Sequence, residues 1–191
     1  GLVLTALVYG SVHRFEEDRQ RAEFEGSALE RIEALRDGLD ETVEVLGDVA
    51  RLFTTMQPVS RAQFAAFAQP MLEQNPQIEL IGWQVMVSDA QRDGFEATRR
   101  REFPDYVVSE PGEGASVPAA RRAQYRVVDY LVPQTGNERL VGMDASMRPE
   151  QEGAARRACL SRQATMTSQY DLMVGTGRQP GFLVLVPVYR G

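Results

Sequence analysis

The sequence contains no lysine: all 21 of its basic residues are arginines. A lysine Schiff base and a phosphate-loop lysine are therefore excluded. Histidine is almost as scarce. His13 is the sole one, next to an apolar N-terminal segment, which removes histidine-dependent acid–base catalysis and Ser-His-Asp or Cys-His systems. The single cysteine, Cys159, rules out a disulfide within the chain and a cysteine-based zinc site. Its place between Ala158 and Leu160 in a helical pattern predicts a buried, inert thiol. The acidic residues lack the alternating spacing and central glycine of a calcium loop. Two-carboxylate glycosidase chemistry stays open on composition, since any two acids can meet in a fold. The expectation is a chain with no catalytic residues, no metal site and no cofactor.

What is present points to a folded globular protein. A length of 191 residues, 43% hydrophobic and 25% charged, suits one good-sized core or two small lobes. A net charge of −6 argues against a general nucleic-acid surface. The local clusters Arg99-Arg100-Arg101 and Arg121-Arg122 read as solvated faces. Residues 1–9 are apolar, too short to span a bilayer, and stop at His13-Arg14 and Glu16-Glu17-Asp18. They read as the outer end of a transmembrane helix with Tyr9 at the interface, the alternative being an ordinary buried helix start.

From Val12 to Met56 there is no proline, and Ile32, Leu35, Leu39, Leu46, Val49, Phe53 and Met56 recur at steps of three, four or seven. That spacing predicts a long helix over 10–57, roughly 65 Å as an ideal rod. It either projects as a dimer stalk or lies on its own domain's core. Gln57-Pro58 ends it. A second helix follows, capped by Ser60, with Phe64, Phe67, Ala68, Met71 and Leu72 on one face. Strands are expected over 78–87, 106–108, 125–132, 140–143, 165–174 and 181–188, with helices after Ser88 or Asp89 and from Pro149 to Ser161. This order fits an α+β fold: a long N-terminal stalk helix, then PAS-like lobes with a mostly antiparallel sheet.

The chemistry concentrates between Gly142 and Tyr189, where one acidic group and several hydroxyls sit among apolar strand residues. Asp144 follows a glycine at a strand end. It either accepts N–H bonds from a ligand or satisfies backbone N–H groups where the Pro149 helix begins. Thr167 is equally at home in a strand or a pocket, and Trp83 and Phe182 suit either core or pocket.

The ordered set Asn75-Pro76, Trp83, Arg92 with Phe95, Phe103, Gly142-Met143-Asp144, Ala158, Thr167, Leu172, Gly181-Phe182 and Pro187-Val188-Tyr189 resembles the CHASE sensory domain, from about Arg61 onward. That family comprises extracytoplasmic ligand-binding regions of receptor histidine kinases, diguanylate cyclases and the plant cytokinin receptors. The resemblance implies a long helix leading to two PAS-like lobes: a membrane-distal ligand-binding lobe over 58–177 and the start of a membrane-proximal lobe over 178–191. In the cytokinin-receptor branch an aspartate after a short strand bonds the purine, and a residue just before a threonine on a later strand offers backbone groups. The matching positions are Asp144, Met166 and Thr167, with Trp83, Tyr106 and Phe182 shaping the pocket. Leu185 replaces the branch's small hydroxyl residue on the final strand. The resemblance thus implies a periplasmic sensor of an inner-membrane receptor, homodimeric through the long helix. Its ligand would be a small molecule, with an adenine-type cytokinin the specific expectation. The alternative is a ligand-free dimerisation or protein-docking ectodomain.

Overall fold

The computed structural model describes residues 33, 36–56, 58–112, 115–174 and 177–189. The expected membrane segment at 1–9 and most of the expected stalk at 10–57 lie outside the described residues. No described helix is long and apolar enough to cross a membrane. The chain divides into two compact units, Gly1–Glu41 and Thr42–Gly191, and every element below except the start of the first helix belongs to the second.

Helices form where caps and prolines allow. Residues 36–55 are helical (α1) and stop ahead of Pro58. Helix α2, Arg61–Gln74, opens on a reciprocal capping box: the Gln63 N–H donates to Ser60 Oγ at 3.2 Å, and the Ser60 N–H donates to Gln63 Oε1 at 2.9 Å. Helix α3 is Asp89–Arg99, and helix α4, Pro149–Ser161, carries proline in its first turn, where the missing N–H costs nothing. The strands are β1 Ile81–Ser88, β2 Ser109–Pro111, β3 Ser116–Pro118, β4 Gln124–Val132, β5 Thr165–Met166, β6 Tyr170–Val174, β7 Gly177–Gly181 and β8 Val184–Leu185. The fold is α+β, with four α-helices among the described residues and small antiparallel pairs β1–β4, β2–β3, β5–β8 and β6–β7.

Two bulges organise the main sheet. In the β1–β4 ladder Trp83 pairs with Tyr130 but Gln84 pairs with Val128, so Asp129 is an extra residue. That insertion puts Tyr130 and Val132 on the same face as Tyr125 and Val127; without it half of β4 would present its apolar residues to the wrong side. The shared face carries Ile81, Trp83, Val85 and Val87 opposite those four residues. One end packs against Val49, Leu52 and Phe53 of α1 and Phe64 and Ala68 of α2. The other packs against Phe95 of α3, Val108 and Ala119. From Val45 to Phe53, then, α1 lies on the core of the second unit, with the Phe53 ring stacked on Trp83 at 3.7 Å.

The second bulge joins the two pairs. The Gly142 N–H donates to the Val128 carbonyl at 2.8 Å while the Val128 N–H donates to the Met143 carbonyl at 3.0 Å, so two residues face one. Gly142 has φ +86°, and a Cβ there would stand 2.9 Å from the Val107 carbonyl oxygen. Glycine is required on both counts. On its other side the segment bonds β2: the Ser109 N–H donates to Gly142 O at 2.9 Å and the Asp144 N–H to Ser109 O at 2.7 Å. The sheet order is therefore β1, β4, the 142–144 segment, β2, β3.

Several expectations change. The strand expected over 106–108 begins only at Ser109, as β2, and the one over 140–143 is the end of a 3₁₀ turn, Glu138–Leu140, followed by single bridges at Met143 and Asp144. The strand expected over 165–174 is broken into β5 and β6, and the one over 181–188 is only β8, because Thr167 turns its hydroxyl to the Leu183 N–H at 3.0 Å. The expected lobe boundary at 177/178 lies within β7, Gly177–Gly181, which pairs with β6. Cys159 is exposed, not buried: α4 buries only Ala154 and Ala158, four residues apart on one stripe, and Cys159 lies round the helix from them.

Buried charge ties helices to sheet. Asp129, with a side chain 3% exposed, accepts from Arg99 Nε at 2.7 Å, and its backbone carbonyl accepts from Arg61 Nη1 at 2.7 Å. Arg92 donates to Glu96 at 2.8 Å, to the Ala119 carbonyl at 2.8 Å and to the Val108 carbonyl at 3.2 Å. Glu96 in turn accepts the Val108 N–H at 3.0 Å and Arg100 Nη2 at 2.7 Å. Removing the Asp129 carboxylate strands the Arg99 guanidinium, while Arg61 keeps the backbone carbonyl and Glu102, so Asp129→Ala is expected to cost about 3 kcal/mol in urea unfolding. Burial works to raise the Glu96 pKa, but the bonds from Arg92 and the Val108 N–H and the charge of Arg100 hold it below the ordinary value. This stabilisation is complete above the unfolded glutamate value of about 4.3 and is lost as pH falls through the folded-state value. Thermal denaturation across pH 3 to 6, buffered at roughly half-unit steps, is expected to show this loss in wild type and a shallower one in Glu96→Gln.

Candidate functional site

Asp144 is completely buried. The segment that carries it leaves the sheet immediately afterwards in a 3₁₀ turn, Ala145–Met147, and the side chain does two local jobs. Its Oδ1 continues the ladder by accepting the Arg126 N–H of β4 at 3.0 Å. The same oxygen caps the turn, accepting the Ser146 N–H at 3.0 Å and the Ser146 hydroxyl at 2.7 Å. Its Oδ2 accepts Arg122 Nη1 at 3.0 Å. Four donors reach the carboxylate, three on Oδ1 and Arg122 alone on Oδ2, so Oδ1 is fully taken while Oδ2 keeps one acceptor position. Of the two roles open at the outset, capping is realised at Oδ1, and because the side chain is 0% exposed a ligand N–H reaches Oδ2 only where Arg122 moves aside.

Arg122 is the accessible part of this arrangement. Its side chain is 24% exposed, against 0% for Asp144. It stands in the loop between β3 and β4, and its guanidinium bridges Asp144 and Glu110 of β2, with Met147 Sδ alongside. Two carboxylates thus share one planar fork of N–H donors, the arrangement arginine suits and lysine does not.

The other expected site residues are spread over the unit. Met166 pairs with Val184 in the β5–β8 ladder; its side chain is 43% exposed, and its carbonyl accepts Arg157 Nη2 of α4 at 3.0 Å. Thr167 is buried and bonded to Leu183 through both its N–H and its hydroxyl oxygen. Phe182 is 42% exposed between β7 and β8. Trp83 stands in the core under Phe53. Tyr106 is buried among Phe95 and Phe103, and its hydroxyl finds no hydrogen-bond partner among the described residues. Burial, followed by the charge of Asp129, pushes its pKa up, so it remains a neutral donor. Among the described residues no three His, Cys, Asp or Glu side chains gather as metal ligands.

Three polar groups of the site escape a reading of the sequence. Arg122 and Glu110 carry no local signal, and the pair Arg121-Arg122 reads as one solvated face although only Arg121 is exposed. The cluster at 99–101 divides likewise, since Arg99 turns in to Asp129. Arg126 is visible in retrospect as a charge in a strand that is otherwise buried almost throughout.

Asp144→Ala removes the acceptor of two backbone N–H groups and leaves Arg122 paired with Glu110 alone. Orphaned buried donors cost about 1–3 kcal/mol each, and the variant is expected to lose roughly 3 kcal/mol in a denaturant titration.

The CHASE domain family model matches residues 57–191, the span that holds α2 to α4 and all eight strands. No curated protein matches the chain. A sheet built round the Gly142-Met143-Asp144 segment, with α2 and α3 on one face, lies within this match, and the chain belongs to the CHASE domain family, the sensory domains of signalling receptors.

Proposed function

We propose that this chain is the extracytoplasmic sensor region of a bacterial transmembrane receptor, a histidine kinase or diguanylate cyclase, and that it binds a small planar ligand bearing N–H donors, of which adenine derivatives are the favoured class. The region itself is non-catalytic, is anchored to the inner membrane and pairs with a second copy through its N-terminal helix. The observation that supports ligand binding is Arg122: a donor fork, reachable from solvent, resting on a fully buried carboxylate. In the resting state it occupies Asp144 Oδ2; an aminopurine edge presents similar N–H donors and takes its place, while Glu110 retains the released guanidinium. The movement of Arg122 is then what the receptor reads, provided the ligand favours the displaced arrangement.

A second reading is supported by the burial and capping bonds of Asp144. With three donors on Oδ1, Arg122 on Oδ2 and no exposed surface, the carboxylate is sufficient as a cap, and the region is then a ligand-free dimerisation or docking ectodomain. The two readings differ at Arg122. Calorimetry with a panel of adenine derivatives compares wild type with Arg122→Gln, which frees Oδ2, and the isosteric Asp144→Asn. Displacement predicts affinity raised by about tenfold in the first and lowered by about tenfold in the second. No binding to any of the three proteins leaves the docking reading, whereas equal affinity in all three puts the ligand away from Asp144 and sinks the displacement.

A further inference from the structure

The thioether of Met147 and the carboxylate of Asp144 share one nitrogen. Met147 closes the 3₁₀ turn that Asp144 caps, and its Sδ lies against Arg122 Nη1, which also donates to Asp144 Oδ2 at 3.0 Å. The other arm of the fork, Nη2, is held by Glu110 of β2. Arg122 is thus pinned at Nη2, while Nη1 serves a charged oxygen on one side and a thioether, a weak acceptor, on the other. Solvent reaches this methionine, which is 44% exposed. Met56, Met86 and Met166 are 46%, 60% and 43% exposed, so exposure does not set Met147 apart. The guanidinium on its sulfur does.

We propose that Met147 is an oxidation site and that its sulfoxide draws Arg122 away from Asp144. The oxidant is a peroxide. The sulfur bonds one peroxide oxygen, the O–O bond breaks, and with hydrogen peroxide the second oxygen leaves as water; the thioether loses two electrons and the peroxide gains them. The product carries a polar oxygen, a far better acceptor than sulfur, on the atom already in contact with Nη1. Nη1 gives ground to that oxygen and turns toward it, while Glu110 keeps Nη2. Asp144 Oδ2 then has no donor, the state that Arg122→Gln imitates. A methionine sulfoxide reductase reverses the step: two of its thiols join as a disulfide, the oxygen leaves as water and the thioether returns. The inference rests on the displacement reading for its consequence, a carboxylate opened to a ligand N–H, but neither the oxidation nor the movement of Arg122 requires a ligand.

The probe is hydrogen peroxide, applied to the 191-residue chain. Peptide mass locates the added oxygen, and chemical shifts follow the Arg122 side-chain N–H groups and the amides of Arg126 and Ser146, which donate to Asp144. In wild type, Met147 is expected to gain one oxygen and these signals to move, and treatment with the reductase is expected to return them. Met147→Leu keeps the apolar bulk and loses the reaction, so its signals are expected to stay in place although Met56, Met86 and Met166 remain oxidisable. A Met147 that resists peroxide, a sulfoxide that leaves the Arg122 signals where they were, or signals that move equally in Met147→Leu each overturn the proposal. Adenine derivatives separate it from the reading it deepens. Oxidised wild type that binds them about tenfold more tightly than reduced protein supports both. Movement of Arg122 in a protein that binds no adenine derivative, or binds it equally in both forms, supports the oxidation site and sinks displacement by a purine.

Discussion

The arrangement of this unit depends on one inserted residue. Asp129 adds a step to β4, and the step decides which side chains face the helices. An insertion of this kind leaves the backbone of the extra residue outside the ladder, and a buried carbonyl there needs a donor. Arg61, the first residue of α2, supplies it. The carboxylate of the same residue takes Arg99, the last residue of α3. One position in a strand therefore sets the register of the sheet, fixes the start of one helix and fixes the end of another. The Arg61 and Arg99 guanidiniums also lie over the Tyr130 ring, at 4.9 and 5.8 Å from its centre, so the charged anchor and the aromatic core share a wall.

The same device recurs. Glu96, Asp129 and Asp144 are the buried carboxylates of the described residues, and each is held by arginine. The absence of lysine from the sequence acquires a physical meaning here. A guanidinium stays charged when buried and can serve a carboxylate and a carbonyl at once, as Arg92 does with Glu96, Ala119 and Val108. An ammonium on a flexible stem loses its proton more readily on burial and offers no fork. The interior is thus cross-linked by fixed charge pairs whose geometry leaves little freedom. Only Arg122 combines a buried carboxylate with clear access from solvent and a second carboxylate to retreat to.

Much of the fold could be read from the sequence because it depends on local chemistry. Ser60 followed by Gln63 marks a helix start, Pro149 sits where a first turn accepts it, and the apolar run 125–132 is a strand. The glycine of Gly142-Met143-Asp144 signalled a turn, though not that the segment stitches two pairs into one sheet, which needs the Val128 partner fourteen residues earlier. What escaped was set by distant partners. Whether an arginine in a cluster points outward depends on a carboxylate elsewhere in the chain, so Arg99 and Arg122 could not be separated from Arg101 and Arg121. The exposure of Cys159 follows from which stripe of α4 finds something to pack on. Asp144 was legible as an acid with a cap and a ligand role left open, but the donors already on it, which realise the cap, were not.

The burial of Asp144 behind Arg122 shapes the recognition proposed above. On that proposal a ligand exchanges its donor for that of Arg122, so its gain is the difference between its own hydrogen bonds and those of Arg122, which limits affinity and makes the displaced arginine part of the outcome. Such an exchange reaches beyond the site because Asp144 Oδ1 is part of the β4 ladder at Arg126, and three residues along the same strand Asp129 anchors α2 and α3. Change in the carboxylate's position therefore bears first on β4, and through its bulge on the helices packed over Tyr130 and Val132, including the last turns of α1. The strand is paired with β1 along its length except at Asp129, and bonded to the 142–144 segment from Arg126 to Val128. It is better suited to pass on a rigid shift than to absorb one.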